Sequence, residues 1–410
     1  MKSLVIRGSF RAPTGYDQTV RGFARELHRQ GIAIEMRDFP NWSAVKLPTE
    51  AQDTILASLE QPVDAQTFLQ FCLPTQVIPG PGKLNVNFTV FEATRVPDVW
   101  VQENRRHDLV VVPTESSRDA WVRSGMPGHR VRVCPQAVDA SVFSGKAPPL
   151  PLRLENGSPI AGCRTRFLNV AEFGARKNLM GLLQAWMEAT SQADDAVLIV
   201  KLGLHTANAW DRFLHQLNQL EQRLGRRLED AAPVAFIHGV VAEEEMARFY
   251  ATATHYISLS FGEGWDYPMV EAAASGLKLI APAHSAYLAY LDSSIATMIP
   301  SREIPAEDSD NPCLSELFRG ACWWEPDRVC AADAIRAAVN GRDAPSASAR
   351  DKITSKFTWE RAASRLIQIL DELESLRAKI PSFEALRSNK RAATRSAHSA
   401  PDALPDPNPS

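Results

Sequence analysis

The stretch "SFGEGWDYPMVEAAASG", residues 260–276, places two glutamates eight positions apart on either side of a turn. The preceding "HYISLS" predicts a strand, and the loop after it carries Glu263 between two glycines. Pro268 suits the first position of a helix, and Gly276 suits its end. We therefore predict a strand, a loop and a short helix with Glu271 in its first turn, where free N–H groups can hold an anion.

The two acids have two interpretations at this point. A carboxylate accepts two hydrogen bonds, so Glu263 and Glu271 together match the adjacent hydroxyls of a ribose or a hexose. A glutamate in a first turn also complements the helix dipole without any ligand, and a loop glutamate is usually solvated. For Glu271 taken alone, the purely structural role is the commoner one, so a ligand site needs support from elsewhere in the chain.

A second stretch, "NVAEFGARKNLMGLLQAW" (residues 169–186), predicts a strand, a short loop and a helix. The loop carries Arg176 and Lys177, and the helix begins near Asn178. Two adjacent cations oppose the dipole at a helix N-terminus, and a bound diphosphate would compensate for them. A solvated pair of loop cations is an equally common explanation.

Two stretches of the N-terminal half carry weaker signals. In "RGSFRAPTGY" (residues 7–16), Gly8 and Gly15 allow the backbone to approach a ligand closely, although the pattern is not the GxGxxG of dinucleotide sites. In "NFTVFEATRVPDVW" (residues 87–100), Glu92 and Arg95 follow a predicted strand. A local ion pair on a loop explains that pair as well as a site does.

Composition and periodicity indicate a soluble α/β protein. The chain has 410 residues, 45% hydrophobic and 23% charged, with a net charge of −3, so no overall basic field attracts nucleic acid. Strand-like and helix-like segments alternate, which is typical of parallel sheets covered by helices. We predict two doubly wound domains that face each other across a cleft, where ligands of such sheets bind. The loop from Ile299 to Cys313 reads as irregular.

The predicted boundaries follow from changes in composition. They are an N-terminal domain at 1–145, a Pro/Gly-rich linker at 146–163, a second domain at 164–357, a C-terminal helix at 358–380 and a disordered tail at 381–410. The six cysteines contain no CxxC pair, so we expect no zinc site. Without a signal-peptide pattern or an apolar run of about 18 residues, we expect a cytoplasmic protein, with peripheral contact at the inner membrane face left open.

Taken together, the stretches resemble one known family. "SFGEGWDYPMVEAAASGLKLIA" is similar to the signature of retaining nucleotide-sugar glycosyltransferases of the GT-B fold, family 4, which has two acids separated by seven residues and then a helix of small residues. "GYDQTVRGFARELHRQG", "PQAVD", "ARKN" and "FTWERAASRL" resemble further parts of that family in order and spacing. The resemblance spans roughly residues 3–370. It implies two Rossmann-like domains, with the last helix crossing back onto the first.

The resemblance also implies roles for individual residues. Glu271 would hold the ribose hydroxyls of the donor, Glu263 would contact the donor sugar, and Arg176 and Lys177 would neutralise the diphosphate. Glu92 stands where the family often has a histidine near the acceptor. The remaining implied donor-binding residues are Gly15, Gly264, Trp265, Asp266, Tyr267, Pro268 and Met269. Trp265 and Asp266 depart from the smaller or less polar residues common there, so we expect them to select the sugar.

We therefore predict a metal-independent, retaining hexosyltransferase without a cofactor. It would move a sugar from a nucleotide-diphospho-sugar to a hydroxyl of a saccharide, a lipid-linked or another acceptor, in polysaccharide or glycoconjugate biosynthesis. Two alternatives use the same fold: a catalytically inactive nucleotide-sugar-binding protein, and a sugar-nucleotide epimerase that needs no acceptor. A phosphorylase would need a lysine that binds pyridoxal phosphate, and no motif supports one. His284, in "APAHSAY", is more simply explained as a packed or exposed histidine than as part of the cleft.

Overall fold

The computed structural model describes residues 1–378, except 40, 41, 44, 45, 48–52, 81, 204–207, 240, 242, 308–311 and 344–347. The predicted disordered tail at 381–410 lies outside the described residues.

The N-terminal part of the chain forms a six-stranded sheet. Its strands are β1 (Ser3–Gly8), β2 (Ala33–Arg37), β3 (Thr67–Phe71), β4 (Leu84–Phe88), β5 (Leu109–Val112) and β6 (Val131–Val133). Its helices are α1 (Gly15–Arg29), α2 (Thr54–Ser58), α3 (Asp98–Asn104) and α4 (Glu115–Arg123). The strand order is β2-β1-β3-β4-β5-β6, and every paired neighbour is parallel. Unbroken apolar runs such as the fully buried "LVVV" of β5 are what a sheet covered on both faces requires.

A second six-stranded sheet follows. Its strands are β7 (Thr165–Glu172), β8 (Ala196–Gly203), β9 (Val234–His238), β10 (His255–Ile257), β11 (Lys278–Pro282) and β12 (Thr297–Ile299). Its helices are α5 (Leu179–Ala189), α6 (Ala209–Leu224), α7 (Glu243–Thr252), α8 (Tyr267–Ala274), α9 (Tyr287–Tyr290), α11 (Arg328–Val339) and α12 (Ala349–Lys356). A further short helix, α10 (Pro312–Leu317), lies in the segment between β12 and α11. The parallel order β12-β11-β10-β7-β8-β9 reverses direction between β7 and β10. At such a reversal the loops after the two strands diverge and leave a crevice at their carboxyl ends.

Two elements tie the sheets together. Helix α13 (Trp359–Ala378) returns to the first domain, where the Trp359 ring packs edge-on against Phe23 at 5.4 Å and Leu366 is fully buried. Strands β13 (Ser301–Pro305) and β14 (Cys322–Pro326) pair antiparallel. The expectation of an irregular Ile299–Cys313 loop is therefore wrong over β13, because its partner strand comes 17 residues later and α10 lies between them.

The β13–β14 pair also contacts the first domain. Cys322 donates its N–H to Thr94 Oγ1 at 2.8 Å, and Thr94 donates its own N–H to the Cys322 carbonyl at 3.1 Å. Trp323 is buried in a cluster that includes Phe91 and Trp100. The loop that leads to Glu92 is consequently held by both domains.

The predicted linker region lies between β6 and β7 and contains a short 3₁₀ turn, Ile160–Gly162. Among the described residues, no helix is long and apolar enough to cross a bilayer. The same residues contain no group of three or more His, Cys, Asp or Glu side chains placed to hold a metal ion.

Candidate active site

A cleft of about 1050 Å³ lies between the two sheets. On the side of the first domain it is lined by α1 and by the loops after β2 and β4. On the other side it is lined by the carboxyl ends of β7, β8 and β9 and by the loop between β10 and α8. The crevice at the β7–β10 reversal therefore opens into this cleft.

Glu263 is the most strongly paired acid of the cleft. Its Oε1 accepts hydrogen bonds from Lys177 Nζ at 2.6 Å and from Ser260 Oγ at 2.8 Å, and its Oε2 pairs with Arg176 Nη1 at 3.0 Å. Burial by itself would raise the pKa of Glu263, but Lys177 and Arg176 outweigh it and lower the pKa to about 2. The glutamate is therefore ionised, and it balances part of the charge of the two cations.

Arg176 reaches both walls of the cleft. Its Nη1 donates to the Gly262 carbonyl at 2.6 Å, and its Nη2 lies 3.8 Å from Glu92 Oε1 across the cleft. Burial lowers the pKa of Arg176, but Glu263 and then Glu92 more than compensate and raise it. The sequence predicted a bound diphosphate beside these two cations. In the structure, the carboxylates of Glu263 and Glu92 are their anionic partners.

The local backbone explains how these cations are presented. Arg176 and Lys177 occupy the 3₁₀ turn Ala175–Lys177, and Asn178 then adopts a left-handed conformation, with φ of +49°. The Asn178 side chain accepts from the Gly181 N–H and donates to the Leu259 carbonyl at 2.9 Å. Asn178 therefore begins α5 and fixes the β7 loop to the β10 loop, which brings Lys177 to Glu263.

Two hydrogen-bond donors to Glu271 are neutral side chains. Its Oε2 accepts from Tyr250 OH at 2.7 Å, and its Oε1 accepts from Gln18 Nε2 at 2.8 Å. The predicted first-turn position is wrong: α8 begins at Tyr267, so Glu271 is its fifth residue and Pro268 its second. The difference arises because Asp266, not Tyr267, carries the left-handed turn that precedes the helix.

Asp266 is a buried acid near Glu263 and its two cations, Arg176 and Lys177. Its Oδ2 accepts from Tyr287 OH at 2.9 Å, and the Tyr287 hydroxyl also lies 2.7 Å from Ser258 Oγ. Burial and then the neighbouring Glu263 raise the pKa of Asp266 to about 7. Its backbone φ is +65°, and its side chain does not cap the helix that follows.

The glycines of the motif have a steric explanation. A Cβ at Gly262 would lie 2.1 Å from the Glu92 carbonyl oxygen, and one at Gly264 would lie 2.8 Å from Val90 Cβ. Both positions touch the backbone or side chains after β4, so only glycine lets the Glu263 loop lie against the first domain. Gly15 makes only an ordinary contact of this kind, 3.7 Å from the Tyr267 ring.

The other predicted donor-binding residues divide into two groups. Trp265, Tyr267 and Pro268 line the cleft, although the Trp265 ring also packs against Tyr290 at 5.2 Å. Met269 does not line it; the side chain is fully buried in the core of the second domain. Its N–H donates to the Asp266 carbonyl.

The side chains that support Glu263 from behind were not predicted as such, although the interpretation of His284 as a packed histidine is confirmed, since it is 2% exposed and does not line the cleft. Glu263 donates its N–H to Ser285 Oγ at 3.2 Å, and Ser285 Oγ lies 2.8 Å from His284 Nδ1. His284 Nε2 lies 2.9 Å from the Ser260 carbonyl, and burial lowers the pKa of His284 to about 4. A neutral His284 that donates from Nε2 satisfies every bond in this series. His284 and Ser285 therefore hold the Glu263 loop in place through the Ser260 carbonyl and the Glu263 N–H. Ser285 has a φ of +43°, which no sequence pattern indicates.

Comparisons with known proteins concern the fold. No protein-family model and no curated protein sequence matches the chain. HepE from Anabaena, solved in complex with UDP and glucose, superposes with a TM-score of 0.59 and 13% identity over 91% of this chain and 100% of its own. Sucrose-phosphate synthase from Thermosynechococcus elongatus gives 0.58 and 15% over 92% and 100%. α,α-Trehalose 6-phosphate synthase from Burkholderia multivorans gives 0.60 and 14% over 92% and 99%.

At these identities the likeness concerns the fold alone. The predicted fold, two Rossmann-like parallel-sheet domains that face each other across a cleft in the GT-B arrangement, is confirmed.

Proposed function

We propose that this protein is a glycosyltransferase that moves a sugar from a nucleotide-diphospho-sugar to an acceptor hydroxyl. The observation that carries the proposal is the meeting of Arg176, Lys177, Glu263 and Glu271 in one cleft, at the crevice between β7 and β10. Anabaena HepE, a protein of the same fold, has been solved with UDP-glucose, which supports a nucleotide sugar as the donor. Retention of configuration, independence from metal and a role in polysaccharide or glycoconjugate synthesis rest on the family resemblance.

The charges suit the departure of a nucleoside diphosphate. Negative charge grows on the leaving diphosphate as the bond to the sugar breaks, so cations fixed beside it stabilise the transition state more than the ground state. Lys177 and Arg176 are already oriented, and an arriving diphosphate replaces part of their pairing with Glu263 and Glu92. The sugar carbon becomes positively charged in the same step, and we assign the carboxylates of Glu263 and Glu92 to oppose that charge.

The ribose fits the neutral partners of Glu271. A hydroxyl donates to a carboxylate oxygen as Gln18 and Tyr250 now do, so a diol can take one of their places without an uncompensated charge. In a single-step reaction, retention requires the acceptor hydroxyl to attack from the face that the diphosphate leaves. We assign Glu92, which lies 3.8 Å from Arg176 on the opposite wall, to the acceptor side.

Nucleotide binding and turnover test the proposal. A thermal-shift screen of UDP, GDP and ADP should raise the melting temperature with at least one of them, because a ligand of the folded state stabilises it. Release of nucleoside diphosphate from the matching sugar donors should then be measurable. Lys177→Ala should lower kcat by about 100-fold. Glu271→Ala should mainly raise the donor KM, because it removes hydrogen bonds to a charged group worth roughly 1.5–3 kcal/mol.

The exposed linker lysine provides the matched control. Lys146→Ala should leave both constants unchanged, since Lys146 is solvent-exposed. Tight nucleotide binding without turnover would instead favour the inactive binding protein, and a change of the donor sugar without any acceptor would favour the epimerase. Wild-type kinetics in both site variants would place the active site elsewhere.

A further inference from the structure

The first-domain wall of the cleft differs in chemistry from the second-domain wall, which carries the charged side chains of Arg176, Lys177 and Glu263. Two large aromatic side chains line it, Tyr16 at the start of α1 and Trp42 in the loop after β2, and both are only partly buried. Their ring centroids lie 4.7 Å apart with the planes at 56°. Partly exposed aromatic surface that lines a cleft between two domains is typical of ligand contact.

Both rings are fixed from behind. Tyr16 OH lies 2.9 Å from Thr89 Oγ1 and accepts from the Val90 N–H at 3.3 Å. Trp42 packs edge-on against Phe39 at 5.6 Å, and the guanidinium of Arg7 covers the Phe39 ring at 4.2 Å. We call Tyr16 and Trp42 the aromatic pair. Because the Tyr16 hydroxyl is hydrogen-bonded and the Trp42 ring is packed on Phe39, the pair presents apolar ring surface to the cleft.

The aromatic pair lies beside the reaction centre proposed above. Tyr16 is anchored to Thr89 and Val90, and the same segment continues two residues later into Glu92. Glu92 in turn faces Arg176. A molecule that covers the aromatic pair therefore lies on the first-domain side of the leaving-group position, where an acceptor hydroxyl has to arrive.

The chemistry of this wall selects among acceptors. A pyranose ring has an apolar face of C–H groups that an aromatic ring buries, and hydroxyls around its rim that remain free to bond. A phosphate group would need available cations. Of the described residues that line this wall, the two cations are already engaged: Arg21 donates to the Phe10 and Ala12 carbonyls, and Arg25 is paired with Asp53. We propose that the aromatic pair is the acceptor subsite and that the acceptor is a saccharide whose ring packs against Trp42. This inference rests on the proposed function.

Binding and turnover of methyl pyranosides test it. Saturation-transfer NMR should show that methyl glycosides of glucose, galactose, mannose or N-acetylglucosamine bind the wild-type protein, while glycerol does not. At least one glycoside should accelerate nucleoside diphosphate release. Trp42→Ala should raise the KM for that glycoside at least tenfold, and Trp42→Phe less than threefold, with the nucleotide Kd unchanged within twofold in both.

Two comparisons keep the outcomes separate. Trp210→Phe changes a tryptophan that does not itself line the cleft but packs on Phe213 and, on the second-domain side, on His238, and it should alter neither constant. If glycosides bind through Trp42 but no donor turns over, the proposed function fails and the saccharide subsite stands. The subsite is overturned if donors turn over while glycerol serves as well as the glycosides, or if Trp42→Ala leaves the acceptor KM unchanged in a protein that melts like Trp42→Phe.

Discussion

Glu263 and Glu271 lie eight positions apart and are equally buried, each with 5% of its surface exposed, but they occupy two regions of opposite character. Glu263, on the loop before α8, is paired with Lys177 and Arg176. Glu271, in the second turn of α8, accepts hydrogen bonds from the neutral Gln18 and Tyr250. Two equally buried glutamates are therefore held differently: Glu263 by ion pairs with cations, and Glu271 by hydroxyl and amide donors that a ligand hydroxyl can replace.

Under the proposed function, this difference matches each region to one group of the donor. A buried ion pair can be opened only if another anion replaces the carboxylate, because an unpaired buried charge costs several kcal/mol. A hydrogen bond from a neutral donor is worth only about 1 kcal/mol net, so a ligand hydroxyl replaces it readily. Charge exchange at Glu263 fits a diphosphate, and donor exchange at Glu271 fits a diol.

The largest effect on stability should come from removing the carboxylate of Glu263. Glu263→Ala leaves Arg176 and Lys177, with 23% and 19% of their side chains exposed, without their main counter-ion. We expect the free energy of unfolding to fall by about 3–5 kcal/mol, as for other broken buried pairs. Urea denaturation followed by circular dichroism measures it.

A surface pair is the control for that loss. Glu325 pairs with Arg302, whose side chain is 79% exposed, so Glu325→Ala should cost less than about 1 kcal/mol. Equal losses in the two variants would mean that the Glu263 cluster is no more than another solvated ion pair, and the contrast with Glu271 would disappear.

The pH dependence of stability should separate Glu263 from Asp266, three residues away. Burial and Glu263 raise the pKa of Asp266 to about 7, so its contribution is fully present below its ordinary pKa near 4 and is lost as pH rises to about 7. The lowered pKa of Glu263 acts in the opposite sense, with stability lost only as pH falls from about 4.5 towards 2. Between pH 5 and 7 only the first effect operates.

Asp266→Asn removes that titration and retains an acceptor for Tyr287. We expect the wild-type protein to lose about 1 kcal/mol per pH unit relative to this variant between pH 5 and 6.5. Urea denaturation of both proteins at several pH values gives the difference, in which the titration of all other groups cancels. A difference that stays constant over this range would show that Asp266 is ionised throughout.

The charged region was easier to predict from the sequence than the neutral one. Arg176, Lys177 and Glu263 are recognisable because cations at a helix start and an acid between glycines are locally unusual. Gln18 and Tyr250 are ordinary residues on α1 and α7, and only the packing of the two domains brings Gln18 to Glu271. No local pattern carries that information.

The errors in the fold have similar causes. Pro268 suggested where α8 begins, but the start was decided by Asp266 in a left-handed conformation, which sequence seldom indicates for a residue other than glycine. Strand β13 was missed because its stability depends on pairing with β14 rather than on its own composition. The overall alternation of strands and helices was predicted correctly, since buried parallel strands need continuous apolar runs, but β3 and β12 were not identified.

The smallest effect should come from the neutral partners of Glu271. Gln18→Ala removes one donor to Oε1, and Tyr250→Phe removes one donor to Oε2; each should lower the free energy of unfolding by about 1 kcal/mol. Because a ribose hydroxyl no longer has to displace the amide, Gln18→Ala should also lower the Kd of the preferred nucleoside diphosphate by a factor of about three to five, as measured by calorimetry. Thr19→Val removes the cross-domain contact to Tyr267 and the hydrogen bond from Gln136 without touching Glu271, so it distinguishes this effect from general loosening of the two domains. If Gln18→Ala instead weakens nucleotide binding while Thr19→Val does not, the Gln18 amide contacts the ligand itself. The neutral region then resembles the charged one, because in both the present partners of the glutamate stay in the site and bind the ligand.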